Sequence, residues 1–117
     1  MKVLVTGSAG FIGSALTLKL LARGDHVVGI DNHNNYYDPH LKEARLTRHI
    51  GNEKYTHIRM NLEDRDGIET LFKEYKFEGV VNLAAQAGVR YSIDNPLAYI
   101  DTNLVGFAHV LEGCRHN

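Results

Sequence analysis

Three glycines spaced three residues apart, Gly7, Gly10 and Gly13, are the residues of this chain that point most directly to chemistry. An apolar run, Val3 to Val5, precedes them, and an amphipathic stretch, Phe11 to Leu21, follows. This order is typical of a buried strand that turns tightly into a helix. Glycine lets a backbone approach a phosphate closely, and the helix start presents free N–H groups and the positive end of its dipole. The segment therefore predicts a pyrophosphate-binding turn.

A carboxylate, Asp31, ends the second apolar run. In that place it can accept hydrogen bonds from both hydroxyls of an adenosine ribose, and it would repel a 2′-phosphate, which favours NAD over NADP. The alternative interpretation is an aspartate that only caps a loop. Its neighbours Asn32 and Asn35 either add hydrogen bonds to the cofactor or stabilise the turn.

Residues after the third and fourth apolar runs are further candidates for cofactor contacts. The amide of Asn61 could bond the amino group of adenine, and Leu62 could pack on the adenine face; the alternative is a plain strand-to-helix turn. Ala84 and Ala85 are small where a bulky side chain would obstruct a cofactor, although ordinary tight packing also explains them.

Two polar residues lie farther along the chain. The guanidinium of Arg90 suits a carboxylate or phosphate of a substrate, and the alternative is a solvated loop charge. Asn103 interrupts an apolar helical pattern and needs a polar partner. It either bonds the backbone of the fourth strand or positions a water or hydroxyl near the cofactor.

The histidines and the adjacent tyrosines carry weaker signals. The seven histidines are at positions 26, 33, 40, 49, 57, 109 and 116. They show no metal-ligand spacing, so we predict surface residues and no metal site. Tyr36 and Tyr37 form either a lid or partner contact, or a small apolar cluster under their loop.

The elements that must position these residues alternate along the chain. Apolar runs predict strands at 2–6, 26–31, 55–60 and 79–84. Helical patterns predict helices at 11–23, about 40–49, 64–76 and from 96 onward, with a loop at 85–95. In the last helix the residues at helical spacing are Ile100, Leu104, Phe107, Leu111 and Cys114.

Four β/α units in succession imply one α/β domain over residues 1–117, with a Rossmann-type doubly wound parallel sheet. The predicted strand order is 3-2-1-4. A crevice should open at the carboxyl ends of strands one and four, where the glycine turn and the loop after strand four converge.

Composition excludes several other classes of protein. The net charge is −1 with no basic block, so bulk charge supports neither nucleic-acid nor membrane binding. No apolar run approaches the roughly 20 residues of a membrane span, and the N-terminus shows no signal-peptide pattern. The single cysteine, Cys114, excludes an internal disulfide and suits a reducing, cytoplasmic location.

Together these segments resemble the extended short-chain dehydrogenase/reductase family of nucleotide-sugar epimerases and dehydratases. The residues that carry the resemblance are Thr6–Gly13, Asp31–Asn32, Leu83–Ala85, Asn95–Pro96 and Asn103. The resemblance implies bound NAD and a homodimer that uses the helix at 96–115. The cofactor-binding set that it implies is Gly7, Gly10, Phe11, Ile12, Gly13, Asp31, Asn32, Asn35, Asn61, Leu62, Leu83, Ala84, Ala85, Gln86 and Asn103. The family usually has aspartate where this chain has Asn61.

Within that family, the segments 31–38, 84–92 and 103–107 are similar to epimerases that act at C4 of UDP-glucuronate. UDP-glucose 4-epimerases and sugar-nucleotide 4,6-dehydratases are the alternatives, and Arg90 as a substrate-binding residue favours a uronate. Such enzymes use a Tyr-x-x-x-Lys base, but none of the six tyrosines here has lysine four positions later. We therefore expect the N-terminal part of a longer epimerase, and we expect the 117-residue chain alone to be inactive.

Overall fold

A computed structural model of the chain describes residues 1–32 and 39–117. The interpretations of His33, Asn35, Tyr36 and Tyr37 lie outside the described residues. The strands within those ranges are β1 (Lys2–Thr6), β2 (His26–Asp31), β3 (Tyr55–Arg59) and β4 (Gly79–Asn82). The helices there are α1 (Phe11–Arg23), α2 (Pro39–Leu46), α3 (Arg65–Tyr75), α4 (Val89–Asp94), α5 (Pro96–Ile100) and α6 (Phe107–His116), with a π-helical segment at Asp101–Gly106.

The sheet is parallel, with the order β3-β2-β1-β4, as the sequence predicted. Alternate residues of the central strands point to opposite faces. On one face Leu4 packs with Phe72 and Val110. On the other, Val5 and Val27 pack against Leu16 of α1. Both faces of β1 are therefore covered, which explains its continuous apolar run.

The predicted helix boundaries are confirmed where local chemistry defines them. Gly24 ends α1 with a φ of 96°, a left-handed conformation that glycine adopts without strain. The carboxylate of Asp64 accepts a hydrogen bond from the amide of Gly67 at 3.1 Å and so caps α3. The predicted third strand ends one residue later than β3, and the predicted fourth strand ends two residues later than β4.

The sequence prediction was wrong about the region after β4. The predicted loop at 85–95 contains α4, and the single predicted helix from residue 96 is α5, the π-helical segment and α6. The side chain of Asn95 still accepts from the amide of Ala98, at 3.3 Å, as a cap should. A π turn inserts an extra residue into a helix, and such insertions depend on tertiary packing rather than on a local signal.

The buried residues of this last helical region are two glycines and one valine, Gly106, Val110 and Gly113. A Cβ on Gly106 would meet Leu62 Cβ at 2.5 Å, and one on Gly113 would meet the Phe72 ring at 2.5 Å. The residues noted for their helical spacing are exposed, with Leu104 at 67% and Leu111 at 55%. The helical region therefore packs on the β3–α3 side of the domain through these two glycines and Val110.

One histidine contradicts the prediction of surface positions. His49 is fully buried, because the chain turns after α2 and places its ring 5.1 Å from that of Tyr55. Across residues 1–32 and 39–117, no group of three or more His, Cys, Asp or Glu side chains could hold a metal ion. In the same ranges no helix has the length and apolar character needed to cross a membrane.

Candidate functional site

A cavity of about 500 Å³ opens at the carboxyl ends of β1, β2 and β4. The predicted cofactor-binding residues that line it are Gly7, Gly10, Phe11, Ile12, Gly13, Asp31, Asn32, Leu62, Leu83, Ala84, Ala85 and Gln86. The fold thus brings together segments that are up to about 80 residues apart in the sequence. This edge lies at the switch point of the sheet, where ligands of open α/β folds bind.

The glycines of the first turn have different physical roles. Gly7 has a φ of 71°, and its amide donates to the Ile30 carbonyl at 2.8 Å. A Cβ there would lie 2.9 Å from the Ala84 nitrogen, and one on Gly13 would lie 2.0 Å from the Gly7 oxygen. Gly7 and Gly13 are therefore required by packing within the protein. Gly10, whose Cβ would meet only the Gly7 oxygen at 3.1 Å, precedes α1 at the cavity.

The start of α1 presents amides of the kind that bind anions. Gly10 is the N-cap, and Ser14 is the first residue of the turn whose amide bonds back to it, at 2.9 Å. The amides of Phe11, Ile12 and Gly13 belong to the first helical turn, whose N–H groups have no acceptor within the helix. They lie at the positive end of the helix dipole, which suits a pyrophosphate.

Asp31 is 2% exposed at the end of β2. Its Oδ2 accepts from the Ala9 amide at 3.2 Å, and its Oδ1 lies 2.9 Å from the Lys42 ammonium. The first contact holds the carboxylate against the glycine turn, in the place that the sequence predicted. The second contact was not predicted.

The sequence reasoning missed the contribution of α2 to this site. Leu41, Lys42 and Arg45 line the cavity, at the spacing of one helical face. The Arg45 guanidinium lies 5.7 Å from the centre of the Phe11 ring, within cation–π range. The spacing of one and four residues was visible in the sequence, but nothing local indicated that this face turns towards β2.

The loop after β4 is held in place by two polar side chains. Buried Thr6 accepts hydrogen bonds at Oγ1 from the amides of Leu83 and Ala84, at 2.9 and 3.0 Å. Asn103 accepts from the Gln86 amide at 2.8 Å and donates to the Gln86 carbonyl at 3.0 Å. Asn103 thus bonds backbone, as one of its two interpretations predicted, but the backbone is that of the loop after β4 and not of the strand itself. It stands behind the loop rather than on the cavity wall.

Two predicted site residues lie elsewhere. Asn61 is exposed and is not part of the cavity lining, although its neighbour Leu62 is. Arg90 is exposed on α4, also outside the lining. Their contacts with adenine and with a substrate stay predictions.

A buried polar cluster lies directly behind the glycine turn. Arg48 donates to Ser14 Oγ at 2.6 Å, and that oxygen is 3.2 Å from His49 Nε2. His49 Nδ1 is buried with no hydrogen-bond partner in the part of the chain that the structure describes. Burial, together with the nearby Arg48 charge, lowers the pKa of His49 from its ordinary value of 6.5. The folded protein therefore favours the neutral imidazole, whose Nε2 can accept the Ser14 proton.

We expect this imidazole to make the chain less stable in mild acid. The unfolded state binds a proton at His49 more readily than the folded state does. The contribution of the neutral imidazole to folding stability is therefore fully present above pH 6.5, and it is lost as the pH falls from there towards the lower pKa of the folded state. The measurement is the urea midpoint at several pH values between 7.5 and 5. His49→Gln should lose less stability than the wild type over that range, and exposed His26→Gln should match the wild type. Equal losses in all three would contradict this account.

The parallel sheet, the glycine turn into α1 and the cavity at the switch point define a Rossmann-type α/β domain. The family model described as GDP-mannose 4,6 dehydratase matches residues 4–117. The chain belongs to this family of NAD-dependent epimerases and dehydratases.

Two relatives are similar to this chain over almost its whole length. Protein CapI of Staphylococcus aureus is 53% identical over 116 residues, which is 99% of this chain and 34% of CapI. UDP-glucuronate 4-epimerase 1 of Arabidopsis thaliana is 45% identical over 98% of this chain and 27% of its own length. The chain thus spans about a third of the length of such relatives.

The fold also matches solved epimerase structures. The crystal structure of UDP-glucuronic acid 4-epimerase from Bacillus cereus, in complex with UDP-glucuronic acid and NAD, superposes with a TM-score of 0.90 at 35% identity. The match covers all of this chain and 37% of the other. The NAD expected from Asp31 and the glycine turn thus agrees with the cofactor of this relative.

Proposed function

We propose that this chain is the NAD-binding part of a nucleotide-sugar 4-epimerase that interconverts UDP-glucuronate and UDP-galacturonate. The observation that carries the proposal is the cavity at the switch point, bordered by the α1 N-terminus on one side and by Asp31 on the other. These groups fit the two ends of an adenosine diphosphate, since one binds a pyrophosphate and the other accepts from ribose hydroxyls.

Each part of the cavity has a positioning role in this proposal. The first-turn amides of α1 hold the pyrophosphate, and Asp31 orients the adenosine ribose. Leu62 provides an apolar surface for the adenine, while Ala84 and Ala85 leave room for the rest of the dinucleotide. When bound, NAD supplies hydride transfer at C4 of the sugar, and the protein supplies binding and orientation.

The choice of UDP-glucuronate depends on the relatives and on Arg90. The Arabidopsis and Bacillus proteins carry the uronate in their names. Arg90 lies on α4, which follows the cavity-lining loop directly, and its guanidinium suits a sugar carboxylate. UDP-glucose and the substrates of sugar-nucleotide 4,6-dehydratases are the competing possibilities. A full-length protein that epimerises UDP-glucose faster than UDP-glucuronate would overturn the uronate proposal.

For the 117-residue chain we propose cofactor binding without catalysis. Calorimetric titration with NAD should saturate at one NAD per chain, whereas a chain that gives no saturable heat would refute the cofactor site. An assay with UDP-glucuronate and NAD should give no UDP-galacturonate, because no tyrosine here is followed by lysine at the fourth position. Product formation would show that another base in this chain serves.

We also propose that the outer face of the helical region from α5 to α6, including the π-helical segment, contacts a second copy of the protein. Leu97, Leu104, Phe107 and Leu111 form an exposed apolar surface of a kind that marks interfaces. In sedimentation velocity we expect association of the wild type and a monomer for Leu104→Glu combined with Leu111→Glu. Ile50→Glu, which changes an exposed apolar residue elsewhere, should associate as the wild type does. A monomeric wild type would refute the interface.

A further inference from the structure

Helix α2 places a partly buried cation against Asp31, the residue expected to discriminate between NAD and NADP. The Lys42 ammonium is 2.9 Å from Asp31 Oδ1, and the two side chains are 14% and 2% exposed. Lys42 also lines the cavity. The ion pair is therefore part of the cavity wall at the ribose end.

This pairing changes the electrostatic argument for cofactor choice. A lone carboxylate at the end of β2 repels a 2′-phosphate by like charge. An ammonium at hydrogen-bond distance from the carboxylate cancels most of the repulsion that a phosphate a few ångströms farther away would experience. Because the pair is shielded from solvent, salt screens it little, and the cancellation persists at physiological ionic strength.

A second cation lies on the same helix face. Arg45 lines the cavity, and its Nη1 is 3.5 Å from the Ala9 carbonyl, beside the amide that donates to Asp31. Asp31, Lys42 and Arg45 together carry one net positive charge, where Asp31 by itself would carry one negative charge. Lys and Arg side chains are the usual partners of phosphate oxygens.

We propose that Lys42 is a specificity-determining residue for the 2′ position of the adenosine ribose. It weakens the discrimination that Asp31 exerts against dinucleotides with a 2′-phosphate, so that the ratio of NADP to NAD affinity depends on the Asp31–Lys42 pair rather than on Asp31 alone. This inference rests on the proposed cofactor site.

The test is the ratio of two dissociation constants in the 117-residue chain. NAD is titrated directly by calorimetry and NADP by competition against bound NAD. Lys42→Met, which keeps the length of the side chain and removes its charge, should raise the preference for NAD over NADP about tenfold. Lys42→Arg, which keeps the charge, should stay within about threefold of the wild-type ratio.

Three further variants complete the design. Lys73→Met removes the same charge from the exposed surface of α3, so an effect of net charge alone would appear in it as well. Asp31→Asn leaves Lys42 and Arg45 without the carboxylate, and we expect it to shift the ratio towards NADP by at least tenfold. Asp31→Asn is thus the positive control for a shift of the ratio, and Lys42→Gln, a second neutral variant, tests the role of Lys42 where Lys42→Met fails to fold: it should raise the preference for NAD as Lys42→Met does.

The outcomes separate this inference from the proposed function. If Lys42→Met weakens both cofactors equally, Lys42 only supports α2 and the inference is wrong. The same conclusion follows if Lys73→Met shifts the ratio as much as Lys42→Met does. If the wild-type chain binds neither NAD nor NADP, the proposed cofactor site itself is wrong.

Discussion

Asp31→Ala is expected to weaken NAD binding about 100-fold. In the proposed complex the carboxylate accepts hydrogen bonds from both ribose hydroxyls, and bonds to a charged group are worth about 1.5–3 kcal/mol each. Water replaces part of the lost contact, so we take a net loss of about 2.8 kcal/mol of binding free energy. This loss corresponds to a factor of about 100 in the dissociation constant. Calorimetric titration with NAD measures the change directly.

The same substitution should also lower the stability of the chain. It leaves the Ala9 amide and the Lys42 ammonium without the partner that each has in the folded protein. An unsatisfied buried group costs about 1–3 kcal/mol, so binding must be measured well below the variant's unfolding midpoint. Glu69→Ala removes a carboxylate from an exposed ion pair with Arg65 and should change neither property. NAD affinity that survives Asp31→Ala would exclude this carboxylate from the ribose site.

Gly13→Ala is expected to destabilise the chain by about 3 kcal/mol. Gly13 lies in the first turn of α1, where helix propensity alone would favour alanine by about 1 kcal/mol. The added Cβ would stand 2.0 Å from the Gly7 oxygen and 2.8 Å from the Gly7 carbon, so α1 must move away from the turn. The clash therefore outweighs the propensity, and the displaced amides should no longer bind a pyrophosphate.

Urea denaturation measures this effect, and Gly79→Ala is its matched control. A Cβ on Gly79 would meet only Met1 Sδ at 3.7 Å and Val3 Cγ2 at 3.9 Å, which are ordinary contacts. Because alanine restricts the unfolded chain, this variant should gain about 0.5 kcal/mol. A Gly13→Ala chain as stable as the wild type would mean that α1 tolerates a shift from the turn, contrary to the close packing described above.

Local patterns predicted most of the framework. The glycine turn, the bounds of α1, the Asp64 cap and the strand order 3-2-1-4 all appear in the structure. Twelve predicted residues line one cavity, which follows from the rule that parallel strands end at the same edge of a sheet. These features depend on short-range propensity and on alternation of elements, both of which a single sequence carries.

Other features could not be predicted because they depend on distant contacts. In the π-helical segment, Gly106 lies against Leu62 and Asn103 bonds Gln86, and neither of these pairs is close in sequence. In the sequence, His49 has no feature that distinguishes it from an exposed polar residue at a helix end. Its burial depends on contacts with Tyr55 and Ser14. Apolar spacing in α6 indicated a helix, but only packing decided that Val110 and Gly113 face the domain.

The sequence by itself determined that the chain forms a parallel α/β domain with a glycine turn into α1 and an acidic residue at the end of β2. It did so because a strand, a tight turn and a helix cap are each encoded within a few residues. Only the tertiary structure decided that α2 turns Lys42 towards that acid and Arg45 towards the glycine turn. The orientation of a helix is set by what its faces contact, so the charge balance at the ribose end exists only in the folded chain.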